Sequence, residues 1–414
     1  MEKQELIPHL FRTEFRKIAS VLCRAFGIDH VETAEDITSE TFLTALETWT
    51  YKGIPDNPTA WLYAVAKNKA KNYINRNHLF NDKIAKELNY EASRENDDIE
   101  IDLSEKNITD SQLQMLFAIC HPSISAEAQI GLALRILCGF GIEEIADAFL
   151  TNKETINKRL FRAKEKLRVE KIKIEPIDIA FTPEVEIAKK LETVLATLYL
   201  LFSEGYYSES ADTVLREDLC LEAMRLTYLL IENEQTKRPQ ANALLALMCF
   251  HASRFEARKN DIGEIIFYSD QDEKLWKQEL IAKGIYFFKE ASKGTVVSKY
   301  HVEAGIAYWH TIKADSDEKW KSILTLYDQL LKIEYSPVAA LNRVVAFSKL
   351  YGNEKAIVEA KELNLANNHY YFTLLGELYK KIDINKAKMN FEKAFLLAKS
   401  RADKDMIQNK ISRL

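Results

Sequence analysis

The feature that most constrains the fold of this chain is an apolar periodicity of three to four residues, which recurs along its length. It is clearest in residues 42–49 and 142–149, where apolar side chains stand at offsets 0, 3, 4 and 7, the spacing of one face of an α-helix. Alternating patterns typical of strands are almost absent. The 414 residues include only 12 Gly and 8 Pro, so turn-forming residues are scarce. The sequence therefore predicts an all-α fold.

Charge, cysteine spacing and hydropathy exclude several classes of protein. A total of 57 Lys and Arg against 62 Asp and Glu leaves a net charge of -5, which argues against a histone-like coat for nucleic acid but permits local basic patches. The five Cys are scattered, which predicts buried thiols in a reducing compartment rather than disulfides or a zinc site. We expect no cofactor and no metal. Because neither an apolar signal core nor a run of about 18 apolar residues occurs, we expect a cytoplasmic protein without a membrane span.

The strongest local motif lies in residues 141–168. A predicted helix, Ile142–Phe149, precedes a short turn, and Thr151 with Glu154 forms a capping-box pattern that predicts a second helix. The predicted inward stripe of this second helix is Ile156, Leu160, Ala163 and Leu167, and its outward face carries Asn157, Lys158, Arg159, Arg162 and Lys166. Residues 153–173 contain nine Lys and Arg but three acids, a net charge of +6. Such a basic helix-turn-helix is typical of DNA recognition, in which the second helix reads base edges and its later cations contact phosphates. Charge alone would favour a solvated helical hairpin, and it is the combination with the hairpin and the capping-box pattern that indicates DNA binding.

A second basic helix is predicted after the turn-rich segment 52–58. Trp61 and its apolar neighbours run into cations and amides between residues 67 and 76. This mixture suits unpaired or melted nucleic acid, because bases stack on rings while Lys and Arg hold the backbone. Upstream, residues 34–43 place acids beside an apolar stripe, a face that can dock on a basic partner helix. Taken alone, each segment also fits an ordinary amphipathic helix.

The remaining chain divides by composition. Residues 84–110 are acidic and weakly hydrophobic, which predicts a flexible linker or a partly ordered arm. A third helical block starts near Glu184. In its last part, Leu341–Leu363 and Phe372–Phe395 each indicate two helices joined by a short turn, about 30 residues apart, which resembles a tetratricopeptide-type stack.

The order of these segments resembles the sigma-70 family of bacterial RNA polymerase sigma factors. An AED…ETFL helix, the loop GIPDNPTAWL with its basic helix, an acidic linker and the basic helix-turn-helix follow one another over residues 8–170. The size is that of the extracytoplasmic-function (ECF) group, which keeps only the second and fourth conserved regions. Further segments are similar to signatures of an ECF subgroup with a long helical, tetratricopeptide-like C-terminal extension: LYLLFSEGY at 198–206, and residues 218–226, 271–276 and 336–343.

The chain departs from the family pattern at several positions. Ser39 stands where the family usually has Gln, and Ser203 replaces the usual Asn of the extension signature. The segment 298–300 lacks the usual Gly-Pro before Tyr300.

The resemblance implies four segments. These are a sigma region 2 domain at 1–80, an acidic flexible linker at 81–110 that threads a polymerase channel, a region 4 domain at 111–175 and a helical extension at 180–414. Its implied partners are the clamp helices of the largest subunit and the flap of the second subunit of core RNA polymerase, promoter DNA, and a protein or ligand partner of the extension.

The resemblance also implies three sets of site residues. The set that binds core polymerase is Asp36, Ser39, Glu40, Phe42 and Leu43. The set that captures and holds the melted −10 element is Asn57, Pro58, Trp61, Lys67, Asn68, Lys71, Asn72 and Arg76. The set that reads the −35 element in the major groove is Lys153, Thr155, Asn157, Lys158, Arg159 and Arg162.

Three functions of different classes follow. The first is a sigma factor, not an enzyme, whose extension regulates it in cis. The second is a free-standing helix-turn-helix regulator with a helical sensing domain, although such a regulator has no need for the loop and basic helix that follow Gly53. The third is a helical enzyme, for which no metalloprotease, nucleophile-elbow or phosphate-loop motif is present. Its candidate pocket residues would be Glu204, Arg225, His251, Asp272 and His310.

Overall fold

A computed structural model of the chain describes residues 3–87, 101–149, 151–175, 184–207, 216–258, 266, 268–399 and 401–414. These residues form eighteen α-helices and no strand, so the predicted all-α fold is confirmed. None of the helices in these ranges is long and apolar enough to cross a membrane. The chain divides into two compact units, Met1–Leu200 and Leu201–Leu414.

The first unit contains seven complete helices and most of an eighth. They are α1 (Lys3–Phe26), α2 (Val31–Lys52), α3 (Pro58–Glu87), α4 (Glu105–Ile119), α5 (Ala126–Leu132), α6 (Ile142–Ala148), α7 (Lys153–Val169) and α8 (Glu184–Tyr207). A π-helical segment, Ala133–Leu137, extends α5.

Helices α1, α2 and α3 pack together around an aromatic cluster. The rings of Phe11 and Phe15 lie 4.9 Å apart, and the ring of Phe42 lies 5.0 Å from that of Phe11. Gly53 ends α2 with a φ of 82°, a left-handed conformation that glycine adopts without steric cost. Asn57 then caps α3, because its Oδ1 accepts the backbone N–H of Ala60 at 2.9 Å. These two residues set the turn between α2 and α3.

The α1–α3 bundle packs directly on the helices that follow it. Glu35 of α2 is only 8% exposed and accepts hydrogen bonds from Arg135 Nε at 2.8 Å and Lys164 Nζ at 3.0 Å. Arg24 of α1 donates to Asn107 Oδ1 of α4 at 2.6 Å. The two domains predicted at 1–80 and 111–175 therefore lie within one compact unit.

The linker predicted over 81–110 is shorter at both ends. Helix α3 runs to Glu87 and α4 begins at Glu105, because Ser104 caps α4 by accepting the Asn107 N–H. Ile101 is fully buried. Residues 88–100, which hold much of the acidic run, lie outside the described residues.

The second unit consists of the end of α8 and ten more helices. They are α9 (Glu217–Glu232), α10 (Pro239–Ala252), α11 (Gln278–Ala291), α12 (Lys299–Trp309), α13 (Asp317–Ile333), α14 (Pro337–Tyr351), α15 (Asn353–Glu362), α16 (His369–Tyr379), α17 (Ile384–Leu397) and α18 (Arg401–Ser412).

The boundary between the units differs from the one predicted at residue 180. The first part of α8 belongs to the first unit, where Thr197 Oγ1 donates to Gln129 Oε1 of α5 at 2.5 Å. Leu191 and Leu198 of α8 are buried. The predicted boundary follows the proline-containing segment, but apolar packing carries the first unit about 20 residues further.

The repeat-like segments of the second unit form two successive helical pairs, α14 with α15 and α16 with α17. Gly376 of α16 faces Phe391 of α17, and a Cβ at Gly376 would lie 2.6 Å from that ring. The glycine therefore permits the close approach of these helices. All five cysteine side chains are buried, as the sequence interpretation expects of them.

Candidate nucleic-acid interface

Helices α6 and α7 form the helix pair predicted in residues 141–168. Helix α6 ends at Ala148, one residue before the predicted end. The predicted capping box is wrong, because the N-cap of α7 is Asn152 rather than Thr151: Asn152 Oδ1 accepts the Thr155 N–H at 2.8 Å. Asn is at least as good a cap as Thr, and its position starts α7 one residue later.

Helix α7 has one buried face and one exposed face. The predicted inward stripe is confirmed, since Ile156, Leu160, Ala163 and Leu167 are buried. Of the predicted −35 residues, Lys153, Asn157, Lys158 and Arg162 are exposed, and Thr155 is half-buried. Exposed Phe161 lies beside Lys158 and Arg162 and was not predicted.

The basic charge counted in the sequence is partly neutralised within the protein. Five of the nine cations between residues 153 and 173 form ion pairs. They are Lys153 with Glu143, Lys164 with Glu35, Lys166 with Glu170, Arg168 with Asp29 and Lys173 with Glu175. The Lys153 ammonium group, through its hydrogen bond, lowers the pKa of the Glu143 carboxyl below its usual value. The exposed cations Lys158 and Arg162 are therefore the strongest candidates for contacts with DNA.

Arg159 is half-buried, although the sequence placed it on the outward face. Its guanidinium carbon lies 5.4 Å from the centre of the Phe149 ring, and its Nη1 is buried without a hydrogen-bond partner. Arg159 borders a cleft of about 480 Å³ between α7 and residues 123–128. The cleft is lined by Ser123, Ile124, Ser125, Ala128, Thr155, Lys158, Arg159, Arg162, Ala163 and Lys166.

Helix α3 carries a second basic surface. The predicted −10 residues Asn68, Lys71, Asn72 and Arg76 are exposed, while Lys67 and Pro58 are half-buried. The neighbouring cation Lys69 is paired with Glu40 of α2 at 3.2 Å. The exposed face therefore combines two cations with two amides, a composition suited to a nucleic-acid strand.

The aromatic residues at the start of α3 are largely part of the bundle. Trp61 is half-buried, and its ring meets that of buried Trp49 edge-on at 5.3 Å. Tyr63 donates its hydroxyl proton to Glu14 Oε2 at 2.6 Å. The oxygen of Asn57 already caps α3, although the residue is exposed. Trp61 can offer one part of its ring to a base while the rest packs internally.

One face of α2 combines acids with exposed leucines. Leu43 is 57% exposed, and Asp36 and Glu40 are exposed beside it. The assignment of Phe42 to a docking surface is contradicted, since Phe42 is 3% exposed and packs on Phe11. Ser39 is half-buried.

Two further residues extend this α2 surface, Leu46 and Glu47, both exposed. The sequence interpretation missed them. The spacing of Asp36, Glu40, Leu43 and Glu47, at steps of four, three and four residues, was the available signal, because such residues share one helical face.

Comparisons with known proteins place the chain in a family. It is 30% identical over 390 residues to an uncharacterized protein of Rhizobium meliloti. The alignment covers 93% of this chain and 90% of the Rhizobium protein. The chain belongs to the family of this Rhizobium protein. It is also 27% identical over 166 residues to the ECF RNA polymerase sigma-E factor of Haemophilus influenzae. This alignment covers 39% of this chain and 83% of the Haemophilus factor.

Two segments match family models. Residues 10–79 match sigma-70 region 2, and this segment lies within the α1–α3 bundle. Together with the Haemophilus similarity, the match supports a place in the sigma-70 family. Residues 190–292 match a family of unknown function, DUF6596. No solved structure matches the chain.

The residues considered for an enzyme pocket have other contacts. Arg225 pairs with Glu222 of its own helix at 2.7 Å, and Asp272 accepts the Lys274 N–H at 3.0 Å. His251 packs on the ring of Tyr206 at 4.6 Å. Within the described ranges, no group of three His, Cys, Asp or Glu could hold a metal ion.

Proposed function

We propose that the protein is an ECF sigma factor, which binds core RNA polymerase, directs it to specific promoters and helps to open the −10 DNA. The observation that carries this proposal is the presence of two separate basic helices, α3 within the bundle that matches sigma-70 region 2 and α7 of the helix-turn-helix. A free-standing regulator needs α7 alone. Sigma factors act through polymerase, so no catalysis by this chain is proposed.

Each surface has a proposed partner. The α2 surface of Asp36, Glu40 and Leu43 binds the clamp helices of the largest polymerase subunit, and the second subunit's flap contacts the α4–α7 region. The exposed face of α3 holds the melted −10 strand, and Asn157, Lys158 and Arg162 of α7 contact the −35 element. Extruding a base costs a few kcal/mol, which contacts on α3 must offset.

The decisive test is reconstitution with core RNA polymerase. The full chain is expected to co-purify with the core enzyme and to support promoter-dependent transcription. Binding to duplex promoter DNA without polymerase, combined with no affinity for the core enzyme, would identify a free-standing regulator instead.

Strand opening is tested by a Lys71→Ala, Asn72→Ala double variant. Both side chains are exposed, so the variant retains the bundle, whereas replacing Trp61 would also disturb Trp49. Permanganate reactivity of −10 thymines is expected to fall while closed-complex formation at low temperature persists. Lys283→Ala, at an exposed position of α11, is the control. Unchanged opening in the double variant would refute the role of α3.

We also propose that the tetratricopeptide-like extension regulates these activities in cis, because stacked helical pairs present long binding surfaces. The test is a chain that ends at Leu200, since ending it at residue 180 would remove the α8 residues that pack on the first unit. Altered promoter activity or polymerase affinity is expected. If both match those of the full chain under all inducing conditions, the extension does not act in cis.

A further inference from the structure

A cluster of cations and aromatic rings surrounds Tyr268 in the second unit. The Arg254 guanidinium carbon lies 5.5 Å from the centre of the Tyr268 ring, and Lys319 Nζ lies 5.2 Å from it. The rings of Trp276 and His310 pack on the same tyrosine, at 6.2 and 5.1 Å. We call these five residues the Tyr268 cluster.

Both cations of the cluster are buried without a carboxylate. Arg254 is 7% exposed and Lys319 is 1% exposed. Lys319 Nζ donates to two neutral oxygens, the Ile312 carbonyl at 2.5 Å and the Tyr268 hydroxyl at 3.0 Å. Within the part of the chain that the structure describes, neither cation forms an ion pair with an acid. Burying an uncompensated charge is costly in free energy. This cost indicates that the two cations have a functional role.

Burial is the main cause of the pKa shifts of His310 and Lys319, and neighbouring cations add to it. Burial, Arg254 and Lys319 lower the pKa of His310 to about 3. Burial, with a smaller effect of Arg254, lowers the pKa of Lys319 despite the nearby Asp315 carboxylate. That carboxylate is shared, since it accepts the Trp320 indole N–H and lies 3.5 Å from Lys349.

Several polar atoms around Tyr268 are buried and lack a hydrogen bond. They are Arg254 Nε, Gln271 Oε1 and Trp276 Nε1. Gln271 is anchored beside the cluster, because its Nε2 donates to the Ile266 carbonyl at 3.2 Å. The backbone carbonyl oxygen of Gln271 accepts a hydrogen bond from Lys313 Nζ. Buried polar atoms in native proteins are almost always paired, so these atoms mark an incomplete network of two donors and one acceptor.

We propose that the Tyr268 cluster is a binding site for a small molecule that carries a phosphate or carboxylate group. The anionic group is held between Arg254 and Lys319, since charge-assisted hydrogen bonds to an oxyanion are the strongest that these side chains make. The Trp276 N–H supplies a further donor, and Gln271 Oε1 accepts a hydroxyl or amine proton of the ligand. This site is independent of the proposed contacts with promoter DNA.

The test is thermal unfolding of the full chain titrated with inorganic phosphate, with acetate as the carboxylate probe and chloride at matched ionic strength as the reference. A ligand that binds only the folded state raises Tm by about 3–6 °C when its free concentration is ten times the dissociation constant. A rise in Tm that exceeds that of chloride and grows with the logarithm of phosphate concentration identifies a phosphate site. The same rise with acetate alone identifies a carboxylate site. Absence of a rise above that of chloride with either probe overturns the proposal.

The location of the site is tested with Arg254→Gln and Lys319→Met. Both variants are expected to lose the rise in Tm above that of chloride. Lys283→Gln, an exposed cation paired with Glu279 at 2.7 Å in the same unit, is expected to retain it. If one cluster variant fails to fold, the other decides. An undiminished response in a folded cluster variant overturns the assignment to this cluster.

Discussion

Arg159 and Arg162 stand three residues apart on α7, yet their surroundings differ. The guanidinium of Arg159 packs over the Phe149 ring, and its Nη1 atom is buried without a hydrogen-bond partner. Arg162, in contrast, is exposed. Periodicity alone cannot separate these two residues, because a side chain at the edge of the helical face can turn towards either a neighbouring ring or solvent. The sequence thus identified the helix and its inward stripe, but not the environment of each cation.

Replacing the two arginines separately is expected to give different results. Arg162→Ala should weaken binding to the −35 element by about 1–3 kcal/mol, the cost of a lost base contact, with no change in Tm. Arg159→Ala should lower Tm, because it removes packing as well as charge. Fluorescence anisotropy with promoter DNA and polymerase, alongside thermal unfolding, measures both. Equal losses of affinity and stability in the two variants would contradict the distinction.

The cysteines give a second prediction at this scale. Burial raises the pKa of Cys120 and Cys249 to about 12, so the reactive thiolate is about one part in ten thousand at pH 8. We expect the native chain to resist iodoacetamide at pH 8 and all five thiols to react in concentrated urea. Mass spectrometry counts the adducts. Rapid labelling of the native chain would show that local opening exposes a thiol.

Between elements, Glu35 joins α2 to α7 and to the π-helical segment after α5. Its two cationic partners lie 100 and 129 residues away in the sequence. The acidic pattern of residues 34–43 predicted a surface helix, and tertiary packing is what buries one of its acids. No local pattern distinguishes Glu35 from Asp36, which is exposed.

Glu35→Gln is expected to destabilise the first unit by about 2–4 kcal/mol, because it leaves partly buried Arg135 without its anion. Lys164 keeps only the more exposed Glu32, whose Oε1 lies 3.8 Å from its Nζ. Glu40→Gln is the matched control on the same helix. Its pair with Lys69 is largely exposed, so a change within about 0.5 kcal/mol is expected. Urea unfolding followed by circular dichroism gives both values. A similar loss of unfolding free energy in the two variants would show that the burial of Glu35 does not contribute to stability.

The helical pair α16–α17 gives a second prediction between elements. An alanine at position 376 would gain about 1 kcal/mol of helix propensity, but its Cβ would meet the Phe391 ring at 2.6 Å. We therefore expect Gly376→Ala to cost about 1–3 kcal/mol through overpacking. The cost should shrink in a Phe391→Leu background, as a double-mutant cycle would reveal. Independent effects of the two changes would exclude the contact as the cause.

For the whole molecule, a net charge of -5 conceals two exposed basic surfaces. Promoter binding by the complex with polymerase should fall steeply with salt, because each phosphate contact releases counterions. Lys158→Ala should reduce the slope of log affinity against log salt by about 0.9, while Lys283→Gln leaves it unchanged. Titrations at several potassium chloride concentrations measure the slope. An unaltered slope for Lys158→Ala would remove this residue from the phosphate contacts.

The sequence predicted the all-α fold, the positions of α6 and α7 and the two helical pairs near the end of the chain. Each of these depends on local periodicity and small residues such as Gly376. It misplaced the linker and the division at Leu200, because packing of Ile101 and Leu198 depends on residues distant in the sequence. It did not predict the Tyr268 cluster, whose residues extend from 254 to 319 and share no single spacing.

The two ion pairs of Glu35 have a consequence for synthesis of the protein. Because Arg135 follows Glu35 by 100 residues, a ribosome adding about 5–20 residues per second completes this partner about 5–20 s later. Lys164 emerges later still. Until then, Glu35 sits on a nascent α1–α3 bundle with its carboxylate open to water, where an unpaired charge costs little. The bundle can therefore fold first, and α7 docks on it only near the end of synthesis of the first unit.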